Sequence, residues 1–335
     1  MRILFYSPPH ASGSTYFRST LVSRYLNKRG HETTVVKTPE PKVMLDYDIV
    51  VFQKCLLDDA YGLLNFVKSK RVKVVYDLDD DLKSVPSWIG VSSVYQRIGP
   101  YCSRFAGNAD LCTYSTDALC TKYGGSNPIV LPNSFEFTER KPCTPTIRNW
   151  RRKLVPLDSI DRFSFRIGYW GSTSHASEFE TVLPALSEFK KHENFVLLYV
   201  GTPSGETLRR LGDRVYIVDP VSVESYLDLL SSLKLNTALM PLIPCPFNEC
   251  KSANKVIEAM ILGIPPIASD FGEYRKTVTN ELGYLCQSTQ DWVDSLKHVA
   301  DNTSYSTHLV EYAKSNHNIE YNITAWETAY NDLIG

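Results

Sequence analysis

Short runs of Val, Ile, Leu and aromatic residues recur along this chain with helical patterns between them, and this alternation constrains the fold more than any other feature. In the first half the runs are residues 2–6, 32–37, 49–53, 73–77, 111–114 and 129–131. They are nearly continuous in apolar character rather than alternating, which predicts strands buried on both faces, as in a parallel sheet covered by helices. A loop carrying Gly13 follows the first run. Phe17, Leu21, Val22, Tyr25 and Leu26 then recur at helical spacing, and the pattern stops at Gly30. A second series begins at 165–169 and continues through 195–200, 215–218, 237–240, 266–268 and 284–286. Helices are expected at 177–191, 223–233, 251–262 and 289–300, with two more in the tail at about 306–318 and 323–333.

Between the two series the period is lost. Pro142, Pro145 and Pro156 sit among Arg140, Lys141, Arg148, Arg151, Arg152 and Lys153, and this stretch reads as a linker. The expected organisation is a first domain over 1–140, a linker over 141–163, a second domain over 164–320 and a final helix over 321–335. At 335 residues the chain is comfortable for two domains. The fold class expected is α/β, two doubly wound Rossmann-like parallel-sheet domains in tandem. Ligands of such folds bind beyond the carboxyl ends of the strands, and the cleft between the domains is the natural site.

Composition narrows the class further. Hydrophobic residues make up 43% and charged residues 22%, which excludes a disordered or fibrous chain. No apolar window reaches the length of a membrane span. The opening run ends at Pro8-Pro9 and does not read as an export signal. None of the eight cysteines forms a C-x-x-C pair, so reduced thiols and a cytoplasmic location are expected. Charge is divided unevenly. Residues 1–153 hold 22 Lys+Arg against 14 Asp+Glu, and residues 154–335 hold 14 against 23. A basic half beside an acidic half fits two domains with different partners, and equally fits two surfaces that simply differ.

The segment richest in chemistry runs from Pro244 through Asn248, Glu249, Lys251, Ser252, Lys255 and Glu258 to Gly263-Ile264-Pro265. On one helix begun at Lys251, the side chains of Lys251, Lys255 and Glu258 share a face, and Ala253, Val256, Ile257 and Met260 turn the other way. An anion at the start of such a helix meets free N–H groups, the positive helix end and two lysines. A carboxylate two turns further on accepts from vicinal hydroxyls. Phosphates followed by a diol describe a nucleoside diphosphate with its ribose. Spacing alone also describes a solvated face with an i,i+3 ion pair.

The same residues resemble the donor-binding signature of retaining glycosyltransferases of the GT-B fold, family four. Glu258-Ala259-Met260 followed by Gly263-Ile264-Pro265 carries the likeness. The string from Phe247 to Glu258 resembles a bacterial branch with Phe-Asn-x-x-Lys-Ser-x-x-Lys-x-x-Glu. The Gly13 loop with Arg29-Gly30-His31, the Val130-Leu131-Pro132-Asn133-Ser134 run and the Ile167-Gly168-Tyr169-Trp170-Gly171-Ser172 run resemble other family windows, in the family's order. Two departures stand out. The usual first glutamate of the signature falls on Cys250, leaving Glu249 and Asn248 as the candidates for its role. The loop after the first strand of the second domain lacks the family's arginine and lysine.

By resemblance the chain moves a sugar from a nucleotide-diphosphate sugar to a hydroxyl acceptor, a glycan or lipid-linked glycan, with retention of configuration. The departing diphosphate then takes the acceptor proton. Glu249 and Asp80 are the candidate catalytic carboxylates. Gly171, Ser172, Thr173, Lys251, Ser252 and Lys255 are the candidates for the diphosphate, Glu258 for the ribose, and Val218 and Asp219 for the base. Gly13, Arg18, Asp79, His175 and Asn248 are the candidates for donor sugar or acceptor. No cofactor or metal is expected, although the clustered Asp79, Asp80 and Asp81 also suit a divalent cation. A UDP- or GDP-type donor is expected, the sequence itself does not fix the nucleobase, and no nucleic-acid partner is expected. Weak docking of the basic half to the inner face of a membrane is expected. The closing helix resembles one that packs back on the first domain. A nucleotide-sugar epimerase and a non-catalytic sugar-nucleotide binder are the alternatives.

Overall fold

The computed structural model describes residues 1–9, 12–161, 164–279, 281–302 and 306–335. Residues 162–163 of the expected linker, and 280 and 303–305 of the expected second domain, lie outside the described residues. The chain forms two compact units. One is Met1–Glu136 with Cys245–Ser252 and His317–Gly335, and the other is Phe137–Pro244 with Ala253–Asn316.

The first unit holds strands β1 (Arg2–Tyr6), β2 (Glu32–Val36), β3 (Ile49–Gln53), β4 (Lys73–Leu78), β5 (Leu111–Tyr114) and β6 (Pro128–Val130). They are ordered β2-β1-β3-β4-β5-β6 with every pair parallel. Successive side chains point to opposite faces, so each strand feeds two cores. Val50, Phe52, Val74 and Tyr76 pack with Leu64 and Phe105 on one face. Ile3, Phe5, Val51 and Val75 pack with Leu21 and Leu26 on the other. Helix Leu21–Lys28 is stopped at Gly30, whose φ of +88° suits glycine, and the His31 N–H turns back to Leu26 O.

The final helix, Ile319–Ile334, belongs to this unit. Ile319, Ile323, Trp326 and Tyr330 recur at helical spacing and are all buried against the second of these cores. Removing the Trp326 ring is expected to cost about 3–5 kcal/mol. The Cys245–Ser252 segment also packs here. Phe247 and Cys250 join the first core, and Thr116 Oγ1 donates to Cys250 O at 3.0 Å.

The second unit holds β7 (Ile147–Asn149), β8 (Phe165–Gly171), β9 (Phe195–Gly201), β10 (Val215–Val218), β11 (Thr237–Met240), β12 (Pro266–Ser269) and β13 (Tyr284–Cys286). Their order is β13-β12-β11-β8-β9-β10-β7, with β7 alone antiparallel. Strand β7 falls inside the stretch expected to be a linker. It has three residues, too few for a period to show. The single helix expected at 177–191 is two, Ala176–Glu180 and Leu183–Phe189. Pro184 explains the break, because proline fits a first helical turn and not a helix interior.

The neighbour order reverses once in each sheet, between β1 and β3 and between β8 and β11. At such a reversal the crossovers leave in opposite directions and open a crevice beyond the carboxyl strand ends. That rule selects Tyr6, Ser7, Gln53 and Lys54 in the first unit. In the second it selects Gly171 and the chain that follows Met240. Among the described residues no helix is long and apolar enough to cross a membrane.

Candidate functional site

The second-unit crevice is built on helix Asn254–Ile261, which follows β11 and presents Val256, Ile257, Ala259 and Met260 inward. The helix does not begin at Lys251 as expected. Residues 246–249 form a separate short helix, Pro246–Glu249, and 251–253 are non-helical. Lys251 therefore belongs to the turn and not to the shared helical face; its ammonium stands 5.0 Å from the Phe247 ring centroid. The helix starts three residues later than a wheel drawn through 251–262 implies. At the true start the N-cap is Ala253, whose side chain supplies no cap bond. A helix start carries N–H groups and a positive end suited to an anion.

One turn into this helix, Lys255 extends toward β8, with its Nζ 5.2 Å from the Tyr169 ring centroid. Gly171 makes room for it, since a Cβ at that position would stand 3.2 Å from Lys255 Nζ and 3.0 Å from the Tyr169 hydroxyl. Ser172 and Thr173 follow, both exposed, and Ser172 Oγ lies 2.6 Å from Ser174 Oγ. His175 Nδ1 pairs with Glu178 Oε2 at 2.5 Å, and the Tyr169 hydroxyl donates to His175 O at 3.1 Å. Glu178 thus orients the imidazole.

Glu258 is buried one turn beyond Lys255 and accepts from Trp170 Nε1 at 2.7 Å. Burial raises its carboxyl to about 7, against the lowering influence of the indole bond and Lys255. A carboxylate withdrawn from water with one donor already supplied has acceptor capacity for a ligand's hydroxyls.

The expected base contacts fare differently. Val218 is buried in β10 beside Ile147 of β7. The Asp219 N–H donates to Thr146 O at 3.0 Å, and its carboxylate accepts from Arg148 Nη1. The antiparallel edge takes up the Asp219 N–H donor. Within the Cys245–Ser252 segment, Asn248 is buried and Glu249 exposed, while Ser252 Oγ accepts from Asn133 Nδ2 at 3.2 Å.

In the first unit the structure corrects the place of Arg18. Its guanidinium is inside the fold, 0% exposed, with Nη2 on Asp77 Oδ2 at 2.6 Å and Nη1 donating to Leu131 O and to Asn133 Oδ1. It also stacks 4.6 Å from the Trp326 ring centroid. Arg18 is a structural pin rather than a ligand contact. Gly13 lies in a short helix, Ser12–Thr15, instead of a loop, and a Cβ there meets nothing within 4 Å. Asp81 is fully buried and holds the Tyr123 hydroxyl at 2.7 Å together with Lys122.

Asp79 and Asp80 remain at the carboxyl end of β4, joined by a residue that the sequence reading did not single out. Lys54 pairs with Asp80 and lies 3.6 Å from Asp79 Oδ1, and its Nζ donates to Ser14 Oγ at 3.2 Å. Its φ of +52° is in the left-handed region, a strained conformation that clusters at functional sites. The two carboxylates hold its ammonium above the ordinary lysine range in spite of burial. Burial and the neighbouring Asp80 raise the Asp79 carboxyl. A lysine just past β3, whose first four residues are apolar, was the available signal for Lys54. For Trp170 the signal was weaker, since a buried indole needs an acceptor but the sequence does not say which.

Residues 164–302 match the family model described as glycosyl transferases group 1. No curated protein matches the sequence. Among solved structures, HepE of Anabaena in complex with UDP and glucose is similar at 14% identity and a TM-score of 0.70, over 99% of this chain and 100% of that one. A glycosyltransferase of Rickettsia africae is similar at 13% identity and 0.69, over 99% and 98% of the two chains. Sucrose-phosphate synthase of Thermosynechococcus elongatus is similar at 13% identity and 0.66, over 99% of each. The chain has the GT-B fold, two Rossmann-like parallel-sheet units, and carries across residues 164–302 the sequence pattern of glycosyl transferases group 1.

Proposed function

We propose that this protein is a glycosyltransferase that takes a sugar from a nucleotide-diphosphate donor and passes it to a hydroxyl acceptor, with retention of configuration. The observation that carries this reading is the buried Glu258 carboxylate, held by Trp170 one turn beyond Lys255 on helix Asn254–Ile261. Diphosphate oxygens take the helix start, Lys255 and the donors of Ser172 and Thr173, with Lys251 and Ser252 supplying charge and a hydroxyl from the preceding turn. The ribose diol donates to Glu258. HepE, solved with UDP and glucose, makes a UDP-sugar the first donor to try.

The chemistry follows from what these groups offer. Leaving-group charge grows on the diphosphate as the glycosidic bond breaks, and pre-aligned N–H donors and ammonium groups stabilise that charge without reorganising. The diphosphate itself takes the acceptor proton on the same sugar face, which retains configuration. Asp79, Asp80, Asn248 and His175 are proposed to hold hydroxyls of acceptor or donor sugar, and Glu249 is proposed to stand in for the first carboxylate of the family signature. No metal ion enters this scheme. Lys54 bridges Asp79 and Asp80, and Lys122 pairs with Asp81.

Calorimetric titration with UDP, GDP and ADP tests the reading. Binding of one nucleotide is expected, weakened about ten- to a hundredfold by Glu258→Gln and by Lys255→Ala. Absence of binding by all three, or equal binding by the variants, overturns it. Product analysis with and without acceptor separates transfer from epimerisation.

A further inference from the structure

We propose that Trp170 is a positioning residue for donor binding: its indole N–H holds the buried Glu258 carboxylate aimed for the ribose diol. The inference rests on the proposed function and deepens it. Trp170 is the next-to-last residue of β8, and its side chain is 2% exposed. On β8 it alternates with Tyr169, which joins the opposite core with Phe179 and Tyr199. The strand therefore sends its largest side chain toward helix Asn254–Ile261, where Nε1 meets Glu258 Oε2 at 2.7 Å. An indole has a single donor and no acceptor, so the bond is stronger to the charged carboxylate than to the neutral acid and favours ionisation. A phenyl ring would fill much of the same volume without that selectivity.

The surroundings leave this donor with few helpers. Lys255, on the same helix, is the cation that acts on Glu258. Tyr226, from helix Tyr226–Ser232, and Tyr274, from helix Gly272–Thr277, also face the carboxylate, and burial holds both phenols far above neutral pH. Beyond Tyr169 stand His175 and its partner Glu178. Burial is the leading influence on Glu258 and places its titration at about 7. Below that pH the carboxyl carries the proton that a ribose hydroxyl needs to donate against. Donor binding then has to expel a proton, and affinity falls by up to about tenfold per pH unit. Loss of the indole bond moves this fall to higher pH.

The experiment is calorimetry with UDP-glucose and GDP-glucose from pH 6 to 9, in two buffers of different ionisation enthalpy. The diphosphate of a sugar nucleotide has no ionisation near pH 7, and the ring N–H of uracil or guanine titrates only above about pH 9, so a proton released near pH 7 reports on the protein. The wild-type chain is expected to gain affinity with pH up to neutrality and to release a proton on binding near pH 7. Trp170→Phe is expected to bind about tenfold or more weakly at pH 7 and to recover most of that loss by pH 9. Replacement of Trp170 by 3-benzothienylalanine, which keeps the ring shape and removes only the N–H, is expected to do the same and covers a fold defect in the Phe variant. Glu258→Gln is expected to lose the pH response, which separates it from any contribution of His175. A profile unchanged in both Trp170 variants, or a loss equal at every pH, overturns the proposal while leaving the nucleotide reading intact. Failure of the wild-type chain to bind either donor at pH 9, together with absence of binding by UDP, GDP and ADP, overturns that reading itself.

Discussion

Arg18 and Asp77 form an ion pair from which solvent is wholly withdrawn: Nη2 lies 2.6 Å from Oδ2, and neither side chain has exposed surface. Thr113 adds a hydroxyl to the same carboxylate oxygen at 2.6 Å. Strand β4 and the segment before helix Leu21–Lys28 are thereby tied together, with the Trp326 ring of the closing helix over the guanidinium. Deleting one partner leaves the other charge buried. Arg18→Met is expected to cost about 3–5 kcal/mol, lowering the melting temperature by roughly 10 °C. The double change Arg18→Met with Asp77→Leu is expected to recover part of that loss. Thermal melts of the three proteins check it, and a single variant as stable as wild type contradicts it.

Glu258 predicts a conflict between stability and binding. The folded carboxyl titrates at about 7 against a reference of 4.5. Between those pH values the folded chain keeps a proton that the unfolded chain has lost, so this group's contribution to stability declines as pH rises through the window. Glu258→Gln removes the decline. At pH 8 the ligand-free variant is expected to exceed wild type by on the order of 2–3 kcal/mol, with the gap closing below pH 5. Chemical denaturation at pH 5 and pH 8 measures the difference. Stabilisation of equal size at both pH values counts against the argument.

Lys54 predicts a separation of acceptor from donor. Without its ammonium, Asp79 and Asp80 repel each other, and Asp79, already raised by burial, moves further toward the neutral acid. Lys54→Met is expected to lower transfer about ten- to a hundredfold, with sugar-nucleotide affinity held within about twofold. Lys54→Arg, which keeps the charge, is expected to restore part of the rate. A Met variant that transfers at the wild-type rate removes Lys54 from the site.

Metal removal supplies a fourth expectation. The scheme stabilises the leaving diphosphate with Lys255 and a helix start, and it pairs the acidic cluster with lysines. Turnover is therefore expected to survive EDTA. Activity lost to chelation and restored by Mg²⁺ or Mn²⁺ would assign Asp79 and Asp80 to a cation instead.

The strands were legible almost residue by residue. The runs 2–6, 49–53, 111–114, 215–218, 237–240 and 284–286 coincide with β1, β3, β5, β10, β11 and β13, because a strand covered on both faces must be apolar throughout and is bounded by polar turns. Strand β7 was not legible. It is an edge strand, half of its surroundings are solvent, and its pairing with β10 depends on a partner about 70 residues away. The helix start was misplaced for a related reason. Lys251 continues the helical pattern, but Phe247 and Cys250 are drawn into the core of the first unit, and the chain turns before the helix begins.

The chain's local chemistry by itself determined the two-sheet α/β architecture, the Lys255–Glu258 spacing and the glycine that ends helix Leu21–Lys28, since each depends on periodicity or on one residue's backbone preference. Only the tertiary structure decided which polar groups are consumed. Arg18 and Asp79 look alike as candidates in the sequence, yet one is locked to Asp77 and the other is held beside Lys54 at the open end of the sheet. Trp170 and Glu258, 88 positions apart, meet only because β8 and helix Asn254–Ile261 share a face of the second sheet. Burial and hydrogen bonding depend on what the fold brings within 3 Å, and no local pattern in the chain encodes that distance.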